Sequence, residues 1–516
     1  MGASSPAAAI LDDGASRYRR LFLPLWVAMV AFQSGLLVHD VAAGWLLASG
    51  GASRSLVALA QTASSLPFFL CALPAGALAD LVERRRVLQA TAFLLSVASL
   101  LVALAVGLDA APPALLLAAS FLNGCANAAF APTWQAITPE LVDLPRLPGA
   151  LALNSLGINV ARSIGPLLSG VILAVAGAPA AFLFNAMLFA AVGCTFVFLA
   201  PRHPVTPKES LGSAVRAGLA YATHDGGLQR VALRGVAFFL FASTFWALAP
   251  VVVHEWFAGT GLLLGVLVGA AGLGAVLAAL LLKRLRARFD LDGLMLGAGL
   301  AAAVALALVP LVPVFTVLVL LYGVLGFCWL ISFSSIHLAA QLRLAPWIRA
   351  RGSAVYLIAV FGSIAVGSFL AGLWADRLGV GGAYGVAAGC LCVATLAAYG
   401  LRITAKVPVA QERSRVLPDG ADAAGPIEVR LLYPLPAGVD PAAARAALKA
   451  LRPVRLRSGA RSWSCEALDG SLEERIRYAD GPALARAAAR QTSADGLLEQ
   501  RLLDLAAPPS VVVAAA

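Results

Sequence analysis

The sequence predicts an all-α membrane protein of twelve transmembrane helices, arranged as two six-helix halves and followed by a small soluble α+β domain. Three observations predict it. The 516 residues are 60% hydrophobic and only 13% charged, whereas an ordinary soluble domain is about 45–50% apolar and about 25% charged. Apolar stretches of the ~20 residues that a helix needs to cross hydrocarbon recur along the chain. Lys and Arg gather in alternate connections between them, as cytoplasmic loops require.

The stretches fall at 21–48, 56–79, 87–107, 113–137, 150–177, 179–200, 230–253, 261–282, 293–312, 314–340, 352–375 and 381–402. Residues 1–20 form a polar N-terminal segment with a basic end, and no cleavage-site pattern follows the first apolar run, so that run reads as a retained span. One side of the membrane collects Arg17, Arg19, Arg20, the Arg84–Arg86 run, Arg146, Arg202, Lys208, Arg216, Lys283, Arg284, Arg286, Arg288, Arg343, Arg349 and Arg351. The other side has little beyond Arg54 and Arg377. This asymmetry places both termini in the cytoplasm and the chain in a cell inner membrane, and it requires an even number of spans.

The longest polar interruption, 201–229, divides the body into bundles at 21–200 and 230–402. Parallel halves of this kind bind substrate between them near mid-depth. Residues 403–425 are charged and rich in Pro, Gly and Ala, as a linker is. The soluble domain is expected at 426–506, with a tail at 507–516. Strands are expected at Ile427–Tyr433 and Leu472–Tyr478, a strand pair or one long strand at Val454–Ala467, and helices at Pro441–Leu451 and Pro482–Leu505, a pattern that fits a ferredoxin-like fold.

The formal charge of +11 lies in short clusters between apolar runs, which argues for a lipid surface and against nucleic acid. Six of the seven cysteines sit inside apolar runs; Cys390 and Cys392 are two apart and face different ways on a helix, so neither disulfides nor a metal centre is expected. The GxxxxGK[ST] phosphate loop is absent from the sequence, which disfavours ATP-driven transport within this chain. No cofactor is expected.

An ionisable side chain in mid-membrane costs about 2.5–3.5 kcal/mol on insertion scales, so each one is a functional candidate. The first span carries Gln33, Asp40 and Gly44 on one face, with His39 beside them. The fifth carries Ser155, Asn159 and Arg162 at i, i+4 and i+7. The tenth carries Ser334, His337 and Gln341. Facing a common cavity, Gln33, Asp40, Asn159, Arg162 and His337 would form a substrate and coupling site, with Asp40 carrying a proton and Arg162 attracting an anion. The plain structural reading is that Asp40 and Arg162 pair with each other or with backbone carbonyls and lock two helices. Trp26, Phe32, Trp134 and Trp246 are candidate apolar walls or interfacial anchors.

The loop PAGALADLVERRRVL (Pro74 to Leu88) resembles the hallmark G-x-L-x-D-R-x-G-R-R of the major facilitator superfamily. Gly76, Leu78, Asp80, Arg84 and Arg85 match, while Leu81 and Glu83 replace an Arg and a Gly. The resemblance implies a twelve-helix fold of two pseudo-symmetric halves, with Gly76, Asp80, Arg84 and Arg85 forming a cytoplasmic gate. ARSIGPLLSG (Ala161 to Gly170) resembles the fifth-span motif of that family's antiporters and exporters, which implies a bend at Gly165, Pro166 and Gly170. The stretch from Asn123 to Pro166, with Phe245 to Val252 and Gln341 to Ser363, is similar to the enterobactin-exporter-like, or transmembrane secretion effector, branch. Proton-coupled members often carry an Arg in the fourth span where this chain has Ser120, so coupling would pass to Asp40 or another carboxylate.

The segment LRPVRLRSGARSW (Leu451 to Trp463) resembles the appendage of some members of that branch, itself similar to the dimeric α/β barrel of antibiotic-biosynthesis monooxygenases. That implies homodimer formation through the C-terminal domain. No His follows His337, so His-based catalysis there lacks a donor, and the chain reads as no enzyme. The resemblance thus implies an efflux transporter of siderophore-, antibiotic- or drug-like small molecules working by alternating access with a proton or another ion. Uptake by symport is the alternative, as is a C-terminal domain acting as sensor, dimerisation module or tethered enzyme.

Overall fold

The computed structural model describes residues 18–143, 146–199, 221, 223–344, 349–403, 411–418 and 425–515; the side chains of 72–81 and a few other positions are outside the description. The membrane body runs through α1 (Leu23–Ser49), α2 (Arg54–Leu81), α3 (Arg84–Gly107), α4 (Pro113–Leu141), α5 (Leu147–Leu199), α6 (Gly226–Ala242), α7 (Thr244–Phe257), α8 (Gly261–Arg288), α9 (Leu291–Leu308), α10 (Phe315–Arg343) and α11 (Arg349–Tyr399). Nine candidate spans among the described residues are long and apolar enough to cross a membrane. Two of them, in α5 and α11, are each a pair of crossings joined at Gly177 (φ 78°) and Gly379 (φ 75°), a left-handed conformation that glycine alone adopts without strain. Each of these glycines joins the last two spans of its half. With α2 as a further crossing, and α6 and α7 sharing one, the described residues form twelve crossings.

Apolar side chains such as Val175, Phe198, Leu280 and Leu320 stay exposed along the helices, as lipid-facing surface does. The interior of the first half is aromatic: Phe32 stacks on Phe130 with centroids 3.7 Å apart, and Trp134 meets Phe196 edge-on. Ion pairs brace each half. Arg84 bonds Glu140, and Arg85 donates to the Val197 carbonyl at 2.6 Å. In the second half Arg234 pairs with Asp292, with only 3% and 4% of the side chains exposed; leaving either charge alone there would cost about 3–5 kcal/mol. Arg286 donates to the Ser334 hydroxyl at 2.7 Å.

The chain forms two compact units, and the second groups 209–232 and 336–356 with everything after 401. Its soluble part contains β1 (Gln411–Glu412), β2 (Ile427–Pro434), α12 (Pro441–Ala450), α13 (Arg452–Ser458), β3 (Ser462–Leu468), β4 (Ser471–Tyr478), α14 (Gly481–Ala489), β5 (Gln491–Thr492), α15 (Ser493–Leu503) and β6 (Ser510–Ala515). The main sheet is antiparallel in the order β3-β4-β2-β6, which with its two helical connections, α12–α13 and α14–α15, is the ferredoxin-like β-α-β-β-α-β arrangement. Asp440 and Asp480 cap the starts of α12 and α14, and Thr492 with Asp495 closes a capping box on α15, which sets where the helices begin.

Two expectations are corrected here. The first part of the strand expected over Val454–Ala467 is the helix α13, which ends at Gly459 (φ 124°). The alternation V-R-L-R mimics a strand, but Val454, Arg455 and Ser458 are the buried positions, which is helical spacing with an arginine turned inward. The expected tail contains the edge strand β6, paired with β2 from Ile427↔Ala515 to Leu432↔Ser510; without it the sheet would have only three strands.

Arg455 is buried because two carboxylates meet it: Glu474 at 3.0 Å and Glu499 at 2.7 Å. Tyr433 and Trp463 donate to Glu474, and Ser414 and Gln491 to Glu499. Burial alone would raise the Glu499 carboxyl, but Arg455, Ser414, the Arg415 backbone N–H and Gln491 outweigh it and hold it below the ordinary glutamate value. A folded-state value below the unfolded one gives stability that is complete above pH ~4.3 and is lost as pH falls through the folded value. Glu499→Gln is therefore expected to destabilise the soluble domain at neutral pH by about 3–5 kcal/mol and to flatten its acid-side loss. Limited proteolysis of this domain in the full chain, across urea and pH series, reads both effects; an unchanged acid profile would contradict the assignment.

Candidate functional site

A cavity of about 200 Å3 opens inside the membrane body. Its wall from the first half comes from α1 (Leu37, Asp40, Val41), α2 (Gln61, Ser65) and α5 (Arg162). Its wall from the second half comes from α7, α8, α10 and α11, and every lining residue there is apolar or aromatic, with Trp246, Trp329 and Phe361 the largest. The cavity therefore has one polar, charged side and one greasy side.

Asp40 takes hydrogen bonds from the Ser64 hydroxyl at 2.8 Å and the Asn123 amide at 3.2 Å, and that amide also donates to the Leu36 carbonyl at 3.2 Å. Two neutral donors orient the carboxyl without cancelling its charge. Among the described residues no ion pair joins Asp40 to Arg162. Arg162 stands half-buried on the same cavity. One turn before it Asn159 is buried and donates to the Ser155 carbonyl at 2.9 Å. Beside Asp40, His39 turns away from the cavity and meets the Ser120 hydroxyl at 3.2 Å.

Of the residues singled out from sequence, Asp40, Arg162 and Trp246 line the cavity. Gln33 sits half-buried nearly two turns from Asp40 and is not among the lining residues. His337 bonds the Tyr356 hydroxyl and belongs to the second compact unit. Phe32 and Trp134 belong to the aromatic core of the first half, Trp26 donates to the Leu153 carbonyl at 3.0 Å, and none of the three is among the residues lining this cavity. The bonds described for Arg84 and Arg85 stay within the first half; the side chains of Gly76 and Asp80 lie outside the described residues.

The fifth-span motif has a packing consequence. A Cβ on Gly165 would sit 2.9 Å from the Ser34 carbonyl oxygen, and one on Gly170 would sit 2.8 Å from the Gly265 Cα. Gly165 and Gly170 thus let α5 lie tightly against α1 and α8. The backbone around Pro166 keeps helical dihedrals, and the break in α5 comes at Gly177. Close packing against α1 and α8 is what Gly165 and Gly170 allow in this conformation, and Arg162, one turn earlier, borders the cavity.

Sequence reading missed the closure of one end. Arg54, at the start of α2, holds Glu255 of α7 through a two-pronged contact of 2.7 and 3.0 Å and donates to the Ala375 carbonyl of α11 at 3.0 Å. Asp376 receives the Ser55 backbone N–H. These contacts cross from the first half to the second, so the end bearing Arg54 is shut. Glu255 and Asp376 lie at helix ends in the connections that carry few cations, which is the one sequence signal that could have flagged them.

The sequence profile of the Transmembrane secretion effector family matches residues 15–508. The chain belongs to this family. The match runs through the soluble domain as well as the twelve spans, so this transmembrane secretion effector carries the domain within its family pattern. It is similar to the Staphyloferrin A transporter of Staphylococcus aureus (strain NCTC 8325 / PS 47), 26% identical over 275 residues, which is 51% of this chain and 64% of that protein's length. Its fold is that of a bacterial homologue of the human lysosomal transporter Spinster in an inward-facing, unoccupied conformation (TM-score 0.61, 15% identity, 78% of this chain and 98% of the other). A mutant of the nucleoside transporter NupG is equally near in shape (TM-score 0.61, 14% identity, 73% and 99%). The protein is thus a multi-span membrane protein with the major facilitator fold.

Proposed function

We propose that this transporter exports small amphipathic anions across the cytoplasmic membrane by alternating access, with proton entry at Asp40 driving the cycle. The observation that carries the reading is the divided cavity. A cation, Arg162, and an oriented carboxyl, Asp40, occupy one wall without pairing, and an aromatic wall faces them. An anionic group on the cargo would take Arg162 as partner, its apolar body would lie against Trp246 and Trp329, and Asp40 would remain free to exchange a proton. Arginine suits this task because its planar fork binds carboxylate or phosphate with two parallel bonds.

The closed end bearing Arg54 is then the outer end, and the basic clusters mark the cytoplasmic one. Cargo would enter from the cytoplasm in the present conformation, and release would require the Arg54–Glu255 contact to part. The similarity to a transporter named for staphyloferrin A supports a microbial natural product as cargo. The test is accumulation of radiolabelled cargo in inside-out vesicles, with candidates taken from metabolites that vanish from spent medium when the protein is deleted. Accumulation that needs an acid-inside proton gradient supports the proposal; accumulation only in right-side-out vesicles would show uptake instead.

A further inference from the structure

The short helix α13 carries two arginines with different duties. Arg455 is locked in the interior of the soluble domain between Glu474 and Glu499. Arg457, at its rim, bonds Asp495, the acid that closes the capping box of α15, and reaches Asp225 at 3.1 Å. Asp225 lies just ahead of α6 and caps its first turn, accepting the Leu228 N–H at 2.7 Å. The same guanidinium carbon sits 5.6 Å from the centre of the Tyr221 ring, within cation–π range. Tyr221 in turn donates its hydroxyl to the carbonyl of Arg343, the last residue of α10, at 3.4 Å. Arg457 and Asp225 keep only 15% and 14% of their side-chain surface exposed, so the pair is better shielded than an ordinary surface bridge.

Arg457 therefore gathers three segments far apart in the chain: the soluble domain, the start of α6 and the end of α10. Both helices lead to the cavity. α10 carries Gly326 and Trp329 of its wall, and α6 runs into α7, which carries Trp246. A helix transmits displacement along its length, so movement of the cavity wall must pull at the ends held here.

We propose that Arg457 is a strap by which the soluble domain holds the start of α6 to the end of α10, and so stabilises the conformation whose Arg54-bearing end is closed. A contact made in one conformer and broken in the other shifts the balance between them by its own free energy. The inference rests on alternation between two conformers but not on cargo, coupling ion or direction.

The test is the distance between spin labels on Ala110→Cys and Val314→Cys, one in each half beyond α3 and α9, in a cysteine-free full chain without cargo. Arg457→Gln and Asp225→Asn are each expected to raise the long-distance fraction three- to tenfold. Their combination should go no further than either alone, and Arg457→Lys should restore most of the short-distance population. Asn keeps the helix-capping ability of Asp225, so that variant removes charge alone, and it stays informative should Arg457→Gln unfold the soluble domain. An unchanged distance distribution in Asp225→Asn, or multiplicative effects in the double variant, overturns the strap.

Discussion

Arg162→Ala is expected to abolish concentrative transport of an anionic cargo while sparing a neutral analogue of the same shape. The expectation follows from where the charge sits. Arg162 faces a half-enclosed cavity without a protein partner among the described residues, so the bound anion would supply its only strong counter-charge. Truncating one partner of a buried, hydrogen-bonded charge pair costs about 2–5 kcal/mol, or roughly 30- to 5000-fold in affinity. The half-saturating concentration for the anion should therefore rise at least ~30-fold. For an uncharged amide or ester analogue, bound mainly against Trp246 and Trp329, the change should stay within about threefold, since no charge pair is lost. Arg162→Lys should recover part of the anion affinity, because the ammonium keeps the charge but not the two-pronged geometry. Equal loss for charged and neutral cargo would mark Arg162 as a structural residue.

Asp40→Asn is expected to uncouple transport from the proton gradient while leaving cargo binding in place. The amide keeps the shape and can still accept the Ser64 hydroxyl, but it takes no proton at physiological pH. Exchange of labelled for unlabelled cargo should continue at a near-normal rate, and gradient-driven accumulation should fall to background. The pH dependence of net transport should flatten in the same variant. Persistence of a normal pH profile would move coupling to another group. Ser120, in α4, is bonded to His39 in this structure.

That these two residues border the cavity was legible in the sequence because a charge in an apolar run is costly and marks a candidate site. The twelve crossings were legible for the same reason, and Gly177 and Gly379 fall where the apolar pattern breaks. Gln61, Ser65, Trp329 and Phe361 were not legible. Polar and aromatic residues of modest cost occur all along membrane helices, and which of them face the cavity depends on how α2, α10 and α11 are rotated in the bundle. The Arg234–Asp292 pair and the Arg54 closure join positions 58 and 201 residues apart, and no local pattern records such partners. In the soluble domain, β2 and β4 could be read from alternation. The helix α13 could not, because Arg455 is buried by carboxylates contributed by β4 and α15, and a buried arginine breaks the apolar periodicity on which the reading relies. The strand β6 is short and rich in Val and Ala, and its role emerges only once β2 is beside it.

The account stands on one physical claim: Asp40 and Arg162 persist in the membrane because they border a water-filled space that opens to one side. The most direct test places Val41→Cys and Ala271→Cys, one on each cavity wall, separately in a cysteine-free chain and applies a charged thiol reagent from each membrane face. Modification of both from the face bearing the basic clusters, much slower from the face bearing Arg54 and slowed further by cargo, is the predicted result. Failure of the reagent to reach either cysteine from either face, while an exposed Ser53→Cys control reacts, would contradict it.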